Sequence, residues 1–262
     1  MIYVEVCAII KTNKILKKGE SKMYELKLIF QLEKSEVPIQ LDKLMVSFFK
    51  ASLENYSLEL FERLYNKKAS IIKTYCWACC LPGANFIKDK IKLNSNKFVL
   101  TFSDADMGEL IEFFNAFQLM QYKKYPMDKN SMTLVSVKIK KLPPIKENEL
   151  IIKMQSSLVV RKHNSVDNTD IYYTCEDSQF SEMLKENLKI FLQKLDIAMD
   201  IESFSITPIK AKKVVAKIWD RPTDANIGLY KLTGSTQLLE LLYAAGLGVR
   251  RSEGHGKWEI IY

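Results

Sequence analysis

Leu142-Pro-Pro-Ile-Lys-Glu-Asn-Glu149 divides the chain. Two consecutive prolines remove two backbone donors, so neither a helix nor a central strand passes through them. On both sides the apolar residues follow the same succession of periods. Upstream, Met1–Ile10 and Tyr24–Leu32 read as strands separated by a basic loop holding Lys11, Lys14, Lys17, Lys18 and Lys22. Leu41, Leu44, Met45, Phe48, Phe49 and Leu53 recur at helical spacing, and a shorter helix covers Ser57–Tyr65. Ile71–Leu81 and Lys97–Phe102 read as strands, and Ser103-x-x-Asp106 approximates a capping box for a helix burying Leu110, Phe114 and Phe117. Met132–Leu142 alternates like a strand. Downstream, Leu150–Val160 and Ile171–Thr174 read as strands, and Asp177 or Ser178 caps a helix through Leu195. Phe204–Ile218 and Ile227–Leu232 follow as strands, then a helix capped by Ser235 and a last strand, Trp258–Tyr262. The order βαββαβ in each half predicts an α+β protein of tandem ferredoxin-like domains, residues 1–145 and 146–262.

With 262 residues and 47% hydrophobic content, the chain has enough apolar surface for two cores. A net charge of +8 and a pI of about 9.0 favour a polyanionic partner, without distinguishing RNA from DNA or a membrane surface. No apolar run of bilayer length and no signal-peptide pattern occurs, so the expected location is the cytoplasm. Five cysteines (Cys7, Cys76, Cys79, Cys80 and Cys175) form an odd set with no second metal-ligand pair beside Cys76-x-x-Cys79. They read as reduced thiols. No carboxylate pair has metal spacing, so no metal or cofactor is expected.

Before the last strand runs Gly246-Leu-Gly248-Val-Arg-Arg-Ser-Glu-Gly254-His-Gly256. Four glycines around Arg250 and Arg251, with Lys257 just beyond, suit a loop whose backbone approaches an anion; the competing reading is a helix C-cap followed by a turn. The loop follows a helix and precedes a strand, the reverse of dinucleotide- and phosphate-binding fingerprints. Together with Leu232-Thr-Gly-Ser235, Leu158-Val-Val-Arg-Lys162 and Cys175-Glu-Asp-Ser-Gln-Phe180 through Asn187-Leu188, it resembles the CRISPR-associated "Cas six" family. The resemblance covers residues 150–262. It implies a metal-independent endoribonuclease that cuts CRISPR repeat RNA, leaves a 2′,3′-cyclic phosphate and works as a monomer or homodimer, with effector-complex subunits as further partners. The alternative is a repeat-RNA-binding subunit that does not cut. A generic protein with two RNA-recognition domains would need paired aromatics that neither half shows.

The chain has two histidines, the usual proton carriers near neutral pH. His255 stands within the glycine loop where the family usually has an aromatic, and His163 follows Arg161 and Lys162 at a strand end. His163 reads as a surface residue or RNA contact, and His255 as a phosphate contact or a simple replacement for that aromatic, rather than as catalysts. The resemblance places a catalytic histidine after the first long helix of the first domain, where this sequence has Tyr65. Lys73 and Tyr75 fit the family's Lys-x-Tyr pattern, so Lys73, Tyr65 and Tyr75 are the expected catalytic group. RNA contacts are expected from Gly246, Gly248, Arg250, Arg251, Gly254, His255, Gly256 and Lys257, and from Arg161, Lys162 and His163. A further set, Lys210, Lys212, Lys213, Lys217 and Arg221 beside Trp219, reads either as a stem-binding edge or as an ordinary charged hairpin face.

Overall fold

A computed structural model gives the structure of residues 23–65 and 71–262. The expected strand Met1–Ile10 and the basic loop 11–22 lie outside the described residues. The first half runs β1 (Tyr24–Leu32), β2 (Glu36–Pro38), α1 (Leu41–Tyr56), α2 (Leu58–Tyr65), β3 (Tyr75–Cys80), β4 (Asn85–Ile87), β5 (Lys90–Lys92), β6 (Lys97–Asp104), α3 (Met107–Met120), β7 (Lys124–Met127) and β8 (Asn130–Lys141). Its main sheet is antiparallel in the order β3-β6-β1-β8-β7. Without the appended edge strand β7, this is the second-third-first-fourth order of a βαββαβ unit.

The second half runs β9 (Glu149–Met154), β10 (Val160–Asn164), β11 (Thr169–Tyr173), α4 (Phe180–Lys194), β12 (Ser205–Ile218), β13 (Arg221–Thr233), α5 (Thr236–Ala245), a 3₁₀ turn at Arg251–Glu253 and β14 (Trp258–Ile260). Its sheet, β12-β13-β9-β14, repeats the same order. The expected tandem ferredoxin-like fold is therefore present.

Alternation explains how the first sheet serves two sides. Leu26, Leu28, Phe30 and Leu32 of β1 turn to the helical face. There Phe49 of α1 meets Phe102 at 5.6 Å and Phe117 at 5.6 Å between ring centroids. Truncating such a ring costs about 3–5 kcal/mol. Glu25 belongs to the opposite face and pairs across the sheet with Ser103 and Lys140, while Ser103 pairs with Cys76. One row across four strands, Cys76, Ser103, Glu25 and Lys140, thus faces away from the helices.

Three details differ from the sequence reading. Ser103 is buried in β6, and Asp106 alone caps α3 by accepting from the Glu109 N–H at 3.1 Å. Asp177 accepts instead from the Thr174 N–H at 2.6 Å, and α4 begins at Phe180. The expected strand Leu150–Val160 breaks after Met154, because Gln155 and Ser156 both donate to the Lys257 carbonyl. Leu158 then pairs with Asn226 and Val159 with Val249 before the hairpin β10–β11 begins. Ser235 caps α5 as expected, accepting from Leu238 at 3.3 Å.

Candidate nucleic-acid interface

The glycine loop is laid into the seam between the two sheets. Lys257 is fully buried, and its ammonium donates to Ser103 Oγ at 2.8 Å and lies 3.5 Å from Glu25. Ser103 Oγ donates in turn to the Ala244 carbonyl at 2.7 Å. The row on the first sheet therefore meets the end of α5 and the start of β14 through a charge-assisted network. Farther along, the Trp77 indole of β3 donates to the Ser252 carbonyl at 3.0 Å. A Cβ at Gly254, whose φ is +90°, would lie 2.7 Å from the Trp77 ring; one at Gly248, with φ +70°, would lie 2.3 Å from the Val159 carbonyl oxygen.

These contacts correct the open, ligand-facing loop expected from the sequence. The absent side chains make room for the protein's own Trp77 and Val159. Gly246 caps α5, donating to Leu242, as the competing reading had it. Gly256 and His255 are buried, as is Lys257, so those three do not present side chains to an outside ligand. Burial, helped by the Arg250 charge, pushes the His255 imidazole down to about 4. It is neutral at physiological pH.

What the loop does expose lines a cleft of about 370 Å³. Its walls are Ile71–Lys73 from the first half, Asn187, Ile190, Phe191 and Lys194 of α4, Arg161 of β10, and Gly248–Glu253. The four α4 residues are spaced to share one helix face. Arg251 spreads over the Phe191 ring, its guanidinium carbon 3.6 Å from the centroid. Burial lowers the Arg251 pKa to about 10, which leaves it charged. Arg250, itself at φ +61°, is tied to Glu253 at 3.1 Å, and Glu253 also accepts from the Trp219 indole at 2.6 Å. Among the described residues, Lys73, Lys194 and Arg251 have no carboxylate at ion-pair distance. Three cations without an ion-pair partner stand around one cleft, which Glu253 also lines, an arrangement suited to successive phosphates.

The expected catalytic group divides. Lys73 lines the cleft, its ammonium 4.6 Å above the Tyr65 ring. Burial lowers its pKa, against the opposing pull of the Glu253 charge and with Lys50 acting in the same direction. Tyr65 and Tyr75 bond to each other through their hydroxyls at 2.6 Å, and Tyr75 is fully buried. Burial raises both phenols well above their usual range. This is a correction: Tyr75 cannot touch a substrate, and neither phenol yields a base at neutral pH. Residues 66–70, which follow Tyr65, lie outside the described residues.

The other expected contacts fall into two elements. On β10, Arg161 and His163 share a face and both reach Asp170 of β11, at 2.9 and 2.8 Å; Lys162 alternates to the other face and is exposed. Asn187 of α4 holds β10 through both polar atoms, accepting from the Arg161 N–H and donating to its carbonyl. On the β12–β13 hairpin, Lys213 pairs with Asp224 and Lys217 with Asp220. Lys210, Lys212 and Arg221 are exposed. At the tip, Trp219 and Asp220 both have positive φ, as a two-residue type I′ turn requires. Asp220 there accepts from Gln40 and Lys43 beside the start of α1. Lys194, Phe191 and Glu253 were missed in the sequence; the helical spacing of Asn187, Phe191 and Lys194 was the available signal.

Residues 138–260 match the family described as CRISPR associated protein Cas6, C-terminal. No curated protein matches the chain in sequence. Among solved structures, the product of a Cas6-related gene from Pyrococcus furiosus superposes with a TM-score of 0.78 at 16% identity, over 92% of this chain and 99% of its own. A RAMP protein described as binding different RNA substrates gives 0.78 at 14%, over 91% and 100%. A CRISPR associated protein Cas6 gives 0.71 at 19%, over 92% and 100%. These likenesses establish a shared fold across both halves.

Proposed function

From the premise that residues 138–260 match the Cas6 C-terminal family, we propose that the chain binds CRISPR repeat RNA along the cleft between its two halves and cleaves it. The observation that carries this reading is the trio of cations Lys73, Lys194 and Arg251 around one cleft, none of them in an ion pair among the described residues. In the reaction the 2′-oxygen attacks the adjacent phosphorus and the bond to the 5′-oxygen breaks, leaving a 2′,3′-cyclic phosphate and a 5′-hydroxyl. Lys73 and Arg251 would balance the charge that builds on the phosphoryl oxygens. Residues 1–145 and 146–262 act as two domains sharing the site, in the cytoplasm and with no cofactor. The protein works as a monomer or homodimer and can stay on its product within an effector complex.

The second reading is a subunit that binds repeat RNA without cutting it. The mutual Tyr65–Tyr75 bond favours it, because it leaves neither phenol of the expected catalytic group as a proton carrier, and the buried, neutral His255 offers none in their place. Purified protein mixed with repeat RNA in EDTA separates the two. A single cut with a cyclic phosphate end supports the nuclease, and retention without a cut supports the binding subunit. No affinity for repeat RNA above that for an unrelated RNA of equal length would sink both.

A further inference from the structure

Arg161, at the edge of the cleft, begins a polar row along one face of the β10–β11 hairpin. His163 is two residues farther along the same strand face, about 7 Å on. Asp170 stands directly across from it in register and receives both neighbours: Arg161 on one carboxylate oxygen and His163 Nδ1 on the other. The Tyr172 hydroxyl also donates to Asp170, at 3.3 Å, and Tyr172 interacts with Arg250 of the glycine loop. A carboxylate accepts only, so His163 Nδ1 is the donor in this pair. That fixes the tautomer and leaves Nε2 as the atom free to take or give a proton. The imidazole is 43% exposed, open to a ligand from outside. Asp170 thus couples a cleft-lining guanidinium to an oriented, accessible imidazole.

We propose that His163, oriented by Asp170, is the proton carrier for RNA cleavage at this cleft. The proposal rests on the repeat-RNA reading above. With a phosphate held at Arg161 and Arg251, His163 Nε2 takes the 2′-hydroxyl proton while the O2′–P bond forms and the P–O5′ bond breaks. A water molecule supplies the proton to the departing 5′-oxygen. The imidazolium proton then neutralises the hydroxide left behind, so the site returns to its starting state. Arg161 stabilises the phosphorane alongside. Asp170 is a positioning residue: by accepting from Nδ1 it holds the ring with Nε2 facing outward. This arrangement supplies what the Tyr65–Tyr75 pair and His255 lack.

The test uses the full chain with repeat RNA in EDTA under single-turnover conditions. His163→Ala is expected to keep its melting temperature and its affinity within about twofold, while its cleavage rate falls by roughly 10²-fold or more. Added free imidazole should restore part of that rate, because the vacated position is open to solvent. Asp170→Asn should slow cleavage less and gain nothing from imidazole. His163→Ala cutting at the wild-type rate would overturn the proposal, as would a loss of rate that imidazole never restores. Wild-type protein that binds the repeat without cutting also overturns it, while leaving the RNA-binding reading intact. Only a failure to bind the repeat removes that reading as well.

Discussion

A Cβ added at Gly254 meets two penalties together: a left-handed φ of +90° and the Trp77 ring at 2.7 Å. Backbone strain of this kind costs about 1–3 kcal/mol, and the clash adds to it. Gly254→Ala should therefore lower the melting temperature by roughly 4–10 °C, at about 2–4 °C per kcal/mol for a chain of this size. An unchanged melting curve would mean that the loop does not pack on Trp77. His255 makes a second prediction at this scale. Burial, then the nearby Arg250 charge, holds its imidazole near 4, below the ordinary ~6.5. Between those values the unfolded chain binds a proton that the folded protein refuses. Stability from this group is complete above about 6.5 and is lost as pH falls towards 4, a span of roughly 3 kcal/mol. In urea titrations at pH 7 and pH 4.5, His255→Gln should show a smaller drop in stability than wild type. Equal drops would place the imidazole in solvent.

The cations belong to different elements, and their partners predict how much each contributes to binding. Lys194 of α4, Arg251 of the loop and Lys73 before β3 lack carboxylate partners among the described residues, whereas Lys213 and Lys217 on β12 are bonded to Asp224 and Asp220. A phosphate gains less from a lysine that must first leave an aspartate. Replacing Lys73, Lys194 and Arg251 together should flatten the slope of log K against log salt by about two units, at ~0.7 per lost contact to single-stranded RNA. Replacing Lys213 and Lys217 should change it by well under one. The reverse ranking would move the RNA onto the hairpin. The same division explains what could be read beforehand. Long elements with an apolar stripe, such as α1 with Met45, Phe48 and Phe49, announce themselves by period alone. The three-residue strands β2, β4 and β5 are too short to carry one. The break in the expected strand after Met154 was hidden because Leu158-Val159-Val160 continues the apolar pattern while its pairing partners change. Phe191 reads as core from spacing, and it is core. That its ring also carries Arg251 at the cleft depends on a loop sixty residues away, which no local pattern encodes.

Across the whole molecule, the two cores are joined by one buried charge whose site is completed from both halves. Lys257 comes from the last strand's approach, Glu25 and Ser103 from the first sheet. The network is asymmetric: Glu25 has a second cation, Lys140, at 3.2 Å and partly in solvent, while Lys257 has no second carboxylate among the described residues. Removing the acid should therefore do more harm than removing the base. Glu25→Gln leaves an ammonium with a hydroxyl and an amide in a site closed to water, a loss of about 3–5 kcal/mol. Lys257→Met leaves Glu25 still paired with Lys140 and puts an apolar chain of similar length in the seam, so its cost should be clearly smaller. Combining them should recover part of the Glu25→Gln loss, giving a coupling of about 0.5–3 kcal/mol in a double-mutant cycle. Urea unfolding followed by Trp77 and Trp258 fluorescence reports on the two halves together. If Glu25→Gln proves no more damaging than Lys257→Met, or if the two losses simply add, the seam is not held by this charge. The glycine loop's position against β3 would then depend on Trp77 and the close backbone contacts alone.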